Sequence, residues 1–509
     1  MIDSLTALDI TFAILGVFLL KRIMMRARCA PLPPGPHPIL GVLALPSPSD
    51  KEWLTYGKWA DTWGDITSVS VFSQPLIVLN SFKLATELLD KKSSIYSDRP
   101  VFQMSGELVG WKKGMALLYY GTPHFRRSRK YFHQLFGSPV NMARFHPIEA
   151  DENHKFLQRL LESPKNFLLH IRQTASAVVM RITYGYIVKS EDDSILSLVN
   201  SVMDEFFASI APGAFLVDLI PMLKYVPSWM PGAGFRRKAK TWSNHLTEMI
   251  EQPLAFAQDQ MVYCILVSRF KLLAQGLEED SFVSLLLRDD PLESEVDSIK
   301  WTAGSIYGGG ADTTVSAIST FFLNMTLHPD IQAKAQAEID AVVGTRRLPT
   351  YADRENFPYV EALCKEVFRY HPIGPMGLPH RVMEDNICEG YLIPKGSIWR
   401  MNMTHNPEVY ADPMTFNPSR FIASDGHIPE PDPQDVVFGF GVCKLLADAS
   451  VFLSCAMALA TFTISKAVQD GTTVEPVENY LPGTVSHPAP FLCSIKPGSA
   501  ETVALISIA

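Results

Sequence analysis

The stretch from Ile299 to Leu327 is apolar along most of its length and has the spacing of a buried helix. Inside it lies GGGADTT, Gly308 to Thr314. Three consecutive glycines in a helix cost about 1 kcal/mol each relative to alanine. A chain that carries them there needs a backbone that comes close to something flat, or a local opening in the helix. Asp312 and Thr313 follow at once. A carboxylate in such a helix is expensive unless it is paired. Two readings stand side by side: a proton-handling pair, or a helix kink with a satisfied aspartate.

The 509 residues suffice for one large body, and nothing between residues 40 and 500 marks a clean boundary, repeat or low-complexity segment. Apolar residues make up 47% and charged residues 19%, which argues against disorder. Net charge is −8, with 45 Lys+Arg against 53 Asp+Glu and no strongly basic half, so nucleic acid is excluded as a partner. Seven widely spaced cysteines with no CxxC do not form a disulfide framework and point to a reducing compartment. Most long segments after Phe82 have helical spacing. Val69 to Asn80 reads as a hairpin with its turn near Gln74-Pro75, and Gly390 to Ile398 as another short β element. The class is mainly α with a minor β region.

Leu5 to Leu20 is a sixteen-residue apolar run with one Asp, followed by Lys21, Arg22, Arg26 and Arg28. Positive charges after the run favour an anchor that leaves the rest of the chain in the cytoplasm over a cleaved signal peptide. Ile23 to Met25 extend the run if Lys21 and Arg22 snorkel. Pro31, Pro33, Pro34 and Pro36 then forbid a helix and make a stiff, extended link. The reading is residues 1–28 as anchor with basic flank, 29–41 as proline-rich hinge and 42–509 as body. Pro212 to Phe235 is apolar, proline-broken and aromatic. It suits a hydrophobic entrance, a segment dipping into a bilayer surface, or an irregular loop covering the core.

Other stretches are weak alone. In KEVFR, Glu366 and Arg369 share one face of an apolar helix from about Tyr359 to Tyr370. Arg420 stands between aromatic residues in FNPSRF. One Glu bridged by two guanidiniums makes a structural lock. His124 to Phe132 carries Arg126, Arg127, Arg129 and Lys130, a basic cluster for a buried anion or an acidic partner; a solvated basic face is the simpler reading. Near the end comes FGFGVCKLLADAS, Phe438 to Ser450, in which no second Cys or His stands at zinc-ligand spacing from Cys443.

Taken in order, the anchor, proline hinge, basic helix, GGGADTT, ExxR, Arg between Phe residues and FGFG…C resemble the cytochrome P-450 family, the haem-thiolate monooxygenases. The resemblance covers essentially the whole chain and is nearest to fungal microsomal members of secondary metabolism. It implies a fold in which haem b lies between a long central helix and a cysteine loop. It implies Cys443 as the axial thiolate, the metal ligand, which pushes electron density onto the iron. Asp312 and Thr313 match the family's acid–alcohol pair for proton delivery. Gly309 and Gly310 match the small residues where the helix crosses the haem. Arg129, and His380 or Arg381, match partners of the haem propionates. Phe438 and Gly441 match the cysteine loop, and Glu366, Arg369 and Arg420 the buried triad that supports it. The implied partners are an NADPH-dependent flavoprotein reductase, an apolar small molecule that is hydroxylated or epoxidised, and the endoplasmic reticulum membrane, spanned once. Pro212–Phe235 looks like the substrate lid, and Ser486–Phe491 like the C-terminal turn that touches substrate.

The chain departs from the family at the cysteine loop, Phe-x-x-Gly-x-Arg-x-Cys-x-Gly. The Arg is absent, Cys443 comes two residues after Gly441 instead of four, and Leu445 replaces the last Gly. About four residues are missing by this comparison. Phe125 stands where the family has Trp, and Ser397 to Pro407 is short. The competing reading is a decayed, haem-deficient member acting at most as a membrane-bound binding protein.

Overall fold

The structure is a computed structural model that describes residues 30–36, 45–46, 50–71, 74–189, 193–211, 213–266, 280–401, 403–439 and 444–507. The anchor segment, most of the hinge, Gly441 and Cys443 lie outside these residues. Eight helices matter for the site. They are α1 (Pro123–Phe136), α2 (His146–Glu162), α3 (Phe167–Tyr184), α4 (Ser194–Ile210), α5 (Gly234–Leu266), α6 (Glu293–Leu327), α7 (Pro358–Tyr370) and α8 (Lys444–Thr461).

The central helix is α6, 35 residues long. Glu295 accepts from the Leu292 N–H at 3.1 Å, satisfying an amide at the helix start. Pro329 disfavours helical geometry at His328, where φ is −122° and ψ is 71°, and the helix stops. Between these ends α6 belongs to two hydrophobic cores. Ile299, Ala303, Ile306, Tyr307 and Ala311 pack in one with residues of α1, α3, α4 and α5. Val315, Ala317, Ile318, Phe321 and Phe322 pack in the other with residues of α2, α7 and α8. The seam between the cores falls at Asp312–Thr314, inside GGGADTT.

The β region is small. One sheet has the order β1 (Ile66–Val71), β2 (Gln74–Leu79), β6 (Ile398–Met401), β3 (His380–Arg381). Only the β2–β6 pair in it is parallel. A hairpin pairs β4 (Asn386–Cys388) with β5 (Tyr391–Ile393), and β7 (Phe462–Lys466) pairs with β8 (Cys493–Pro497). Gln74 pairs with Val71 and Pro75 with Ser70, so Gln74-Pro75 open β2. Pro75 is tolerated because the β2–β6 ladder starts only at Leu76, beyond its missing N–H. The GYLIPKGSI stretch divides into β5 and the start of β6.

The described part of the proline segment, 31–36, is docked on the body. Ser68 donates to Pro34 O at 2.8 Å and to Pro33 O at 2.5 Å, and Leu392 N donates to Pro31 O at 2.7 Å. At Gly35 a Cβ would lie 1.9 Å from Ser68 O, so the close approach requires glycine. Among the described residues, only α8 is long and apolar enough to cross a membrane, and it is mostly buried in the core.

Candidate active site

The glycine triplet divides its work. A Cβ at Gly308 would lie 2.9 Å from Met203 Sδ, and one at Gly310 3.1 Å from Val179 Cγ2, so these two admit α4 and α3. At Gly309 a Cβ would meet nothing within 4 Å, and the residue is exposed in an otherwise buried helix. Gly309 and Gly310 both border the small space beside α8. Thr313, one turn on, shares the open face of Gly309 and donates to its carbonyl at 2.6 Å. Thr314 makes the same bond to Gly310 O on the buried side.

Asp312 has two basic neighbours. Its Oδ2 is 3.1 Å from His487 Nε2, and its Oδ1 is 3.4 Å from Arg172 Nη1 on α3. Burial pushes its pKa up, but the His487 hydrogen bond and charge, with Arg172, outweigh burial and hold it below the usual value. These residues line a cavity of about 330 Å³ together with Asp204 of α4 and the Pro482–Val485 turn. Burial raises the pKa of Asp204, against the pull of Arg172. The sequence singled out Ser486–Phe491 as a turn, yet not His487 as a partner of Asp312. Arg172 and Asp204 are far away in the chain and left no local signal.

The ExxR pair and Arg420 form a closed network. Arg369 grips Glu366 with two bonds, Nε–Oε2 at 2.7 Å and Nη2–Oε1 at 2.8 Å. Arg420 Nε reaches the same carboxylate at 3.3 Å, and its Nη1 pairs with Glu430 at 2.7 Å. Glu366 and Arg369 are fully buried and Arg420 nearly so. Remaining guanidinium protons go to the carbonyls of Thr404, Ala411, Pro413 and Thr415, and Asn417 N–H also donates to Glu366 at 2.8 Å. Two acids and two bases, saturated with hydrogen bonds, thus clamp the 404–420 segment to α7.

A second network holds both sides of the cysteine loop. Arg354 binds Asp448, in the first turns of α8, at 2.5 and 3.0 Å, and Glu361 of α7 at 2.7 Å. Gln434, upstream of the loop, donates to the same Asp448 at 2.7 Å. Phe438 lies edge-on to Phe368 of α7, ring centroids 5.3 Å apart. Sequence reasoning missed Arg354, Gln434 and Asp448, which have no shared short-range pattern.

On α1, Arg127 Nε donates to Ser298 Oγ at 2.9 Å and His124 Nδ1 lies 3.0 Å from it, tying α1 to the start of α6. Arg129 lies with its guanidinium 5.6 Å from the Phe125 ring centre and has no acidic partner among the described residues. Arg381 pairs with Asp98, its Nε at 3.1 Å. His380 stacks on Trp399 at 4.5 Å; burial drives its pKa well down, and its buried Nδ1 has no partner.

Haem fits this donor set. The open face at Gly309 and Thr313 suits a flat ring. Arg129 and the unpartnered His380 Nδ1 suit carboxylates. A space of about 30 Å³ between α6 and α8, bordered by Gly309, Gly310, Leu446 and Ser454, has room for one water.

The sequence profile of the cytochrome P-450 family matches residues 31–494. Cytochrome P-450 monooxygenase 208 of Postia placenta is 48% identical, with 98% of this chain and 97% of that protein covered. Cytochrome P-450 monooxygenase claR of Ampulloclitocybe clavipes is 41% identical, covering 99% and 93%. Cytochrome P-450 monooxygenase ppsD of Aspergillus oryzae is 40% identical, covering 93% and 90%. With the family's motif order, its mainly helical fold and nearly full-length relatives in agreement, the chain belongs to the cytochrome P-450 family of haem-thiolate monooxygenases.

Proposed function

We propose that this monooxygenase hydroxylates or epoxidises an apolar scaffold of terpenoid or polyketide type. Its electrons come from an NADPH-dependent flavoprotein reductase. Residues 1–28 anchor it once in the endoplasmic reticulum membrane, with the body on the cytoplasmic side. When bound, haem would supply activation of dioxygen. Cys443 would hold it as a thiolate, Arg129 with His380 or Arg381 would hold its carboxylates, and Phe438 and Gly441 would flank the cysteine. Glu366, Arg369 and Arg420 hold the segment before the loop. Thr313 presents its hydroxyl on the open face, and Asp312 passes protons to that face.

The observation that carries this reading is the seam in α6: an exposed glycine, a hydroxyl and a paired carboxylate where two dry cores meet. The apolar substrate class is supported by the side chains of the first core, among them Met104, Trp111, Met203 and Phe206. Contact with a bilayer is supported by Leu216, Met222, Tyr225 and Trp229, which are exposed together in the segment before α5, Trp229 at 78%.

A carbon-monoxide difference spectrum of the reduced protein in membranes tests the reading. The long-wavelength Soret band of thiolate-ligated haem is expected, and Cys443→Ala is expected to abolish it. A chain without the band is the haem-deficient member that the short loop suggests, and restoring about four loop residues in the family pattern then becomes the test of the loop. A normal thiolate band in Cys443→Ala overturns the ligand assignment.

A further inference from the structure

We propose that His487 is a positioning residue for Asp312: it draws a proton from the polar cavity beside α6 at Nδ1 and delivers one from Nε2 to Asp312 Oδ2. The inference rests on the reading of Asp312 as a proton donor. It adds the route by which that carboxylate is recharged.

Three observations carry it. His487 Nε2 and Asp312 Oδ2 are 3.1 Å apart, hydrogen-bond distance. Both residues line the same cavity of about 330 Å³, which at ~30 Å³ per water has room for roughly ten. Polar groups form about half of the cavity wall. Arg172 and Asp204 face it, and so does Glu52, which is held by Arg400 at 2.7 Å. An apolar void would stay dry, but these groups offer each water several partners. On the other side Asp312 adjoins Thr313 and the open face at Gly309. A proton therefore has a polar approach on one side of α6 and its destination on the other, with Asp312 in the seam.

The groups acting on Asp312 have distinct roles. Arg172 on α3 is the more distant, at 3.4 Å, and carries a fixed charge that cannot be handed on. Asp204 on α4 is a second acid that disfavours a second negative charge nearby. Tyr307, earlier on α6, is buried, and its pKa is raised, so it stays neutral. That leaves His487 as the group beside Asp312 whose two ring nitrogens allow it to accept a proton at one atom and donate from the other.

The test uses the full-length chain with its reductase in membranes. The infrared C=O stretch of protonated Asp312, identified by its loss in Asp312→Asn, is followed against pH in wild type and in His487→Gln. This readout needs no turnover. The band is expected to begin at a pH about one unit higher in His487→Gln, a tenfold change in proton affinity, because burial is then opposed by Arg172 alone. During turnover the same variant is expected to divert several-fold more electrons to peroxide, and His487→Lys, which restores a cationic donor, to recover part of the loss. An unchanged band onset overturns the role of His487. Should His487→Gln fail to fold, His487→Asn takes its place, with the same upward shift of the band onset expected, and an unmoved onset in it overturns the role of His487. If Asp312→Asn couples as well as wild type, the reading of Asp312 falls and the proposal with it. The band shift persists in that case, which distinguishes the two failures.

Discussion

Glu366 and Asp312 are both carboxylates paired with two basic side chains, but the first is fully buried and the second half-buried. Around Glu366 both partners are arginines, every guanidinium proton finds an oxygen, and solvent is absent. Around Asp312 one partner is an imidazole, the arginine stands at 3.4 Å, and a polar cavity opens alongside. Arginine does not release its proton in proteins, whereas histidine does so near neutrality. A choice of partner and the presence of a cavity thus separate the clamp at Glu366 from the carboxylate proposed to carry protons. Glu149 on α2 is a third case. It is fully buried with only the Ser450 hydroxyl on Oε1, at 2.8 Å, and no partner on Oε2. Burial pushes its pKa up to about 8. With no cation in contact, the carboxyl keeps its proton.

The comparison can be broken at each carboxylate. Glu366→Gln leaves two buried guanidiniums with one acid fewer, and a loss of about 3–5 kcal/mol is expected. Chemical unfolding measures it, and a loss below about 1 kcal/mol would make the network no more than a surface-like pair. Arg354→Met strands Asp448 beside the cysteine loop and is expected to cost about 3 kcal/mol, at the low end for a broken buried pair. The loop should lose order with it, read as faster hydrogen exchange in Gln434–Val437.

Glu149→Gln sharpens the contrast through pH. The folded protein binds a proton here that the unfolded chain loses near its ordinary value of 4.5, so stability is fully present below that pH and falls as pH rises to about 8. The slope is at most about 1.4 kcal/mol per unit. Denaturant midpoints of the variant and wild type, compared at about pH 6 and about pH 8, should show the variant gaining relative stability at the higher pH. A constant difference would mean Glu149 does not titrate in that window. Thr313→Ala should change stability least, within about 0.5 kcal/mol, while product formed per electron consumed falls. Unchanged coupling would remove Thr313 from the relay.

How much of this was legible in the sequence follows from distance along the chain. Glu366 and Arg369 are three apart, and Gly309 and Thr313 four apart, so helix geometry alone puts each pair on one face. The close approach of Met203 to Gly308 and of Val179 to Gly310 comes from distant parts of the chain and left no local signal. Asp312 and His487 are 175 residues apart, and Arg354 and Asp448 are 94 apart. No local pattern joins such pairs; tertiary packing brings them together. The misplaced hairpin turn had a local cause. Proline is a turn signal, but Pro75 stands where the strand has no ladder bond to give on the β6 side.

The Gln434–Asp448 hydrogen bond has a further consequence for how the chain tolerates change in length. It closes the neck of the cysteine loop independently of what lies inside, and Lys444 and Asp435, 3.5 Å apart, close it again one step nearer the loop. With its ends fixed, the loop bears only an entropic cost of closure, which rises by about 0.6 kcal/mol when its length doubles. Insertion of four residues beside 440–443 would therefore scarcely alter the stability of the fold. Loop length at this point is free to vary without threatening the body of the protein, and what it controls is the reach of a single sulfur atom.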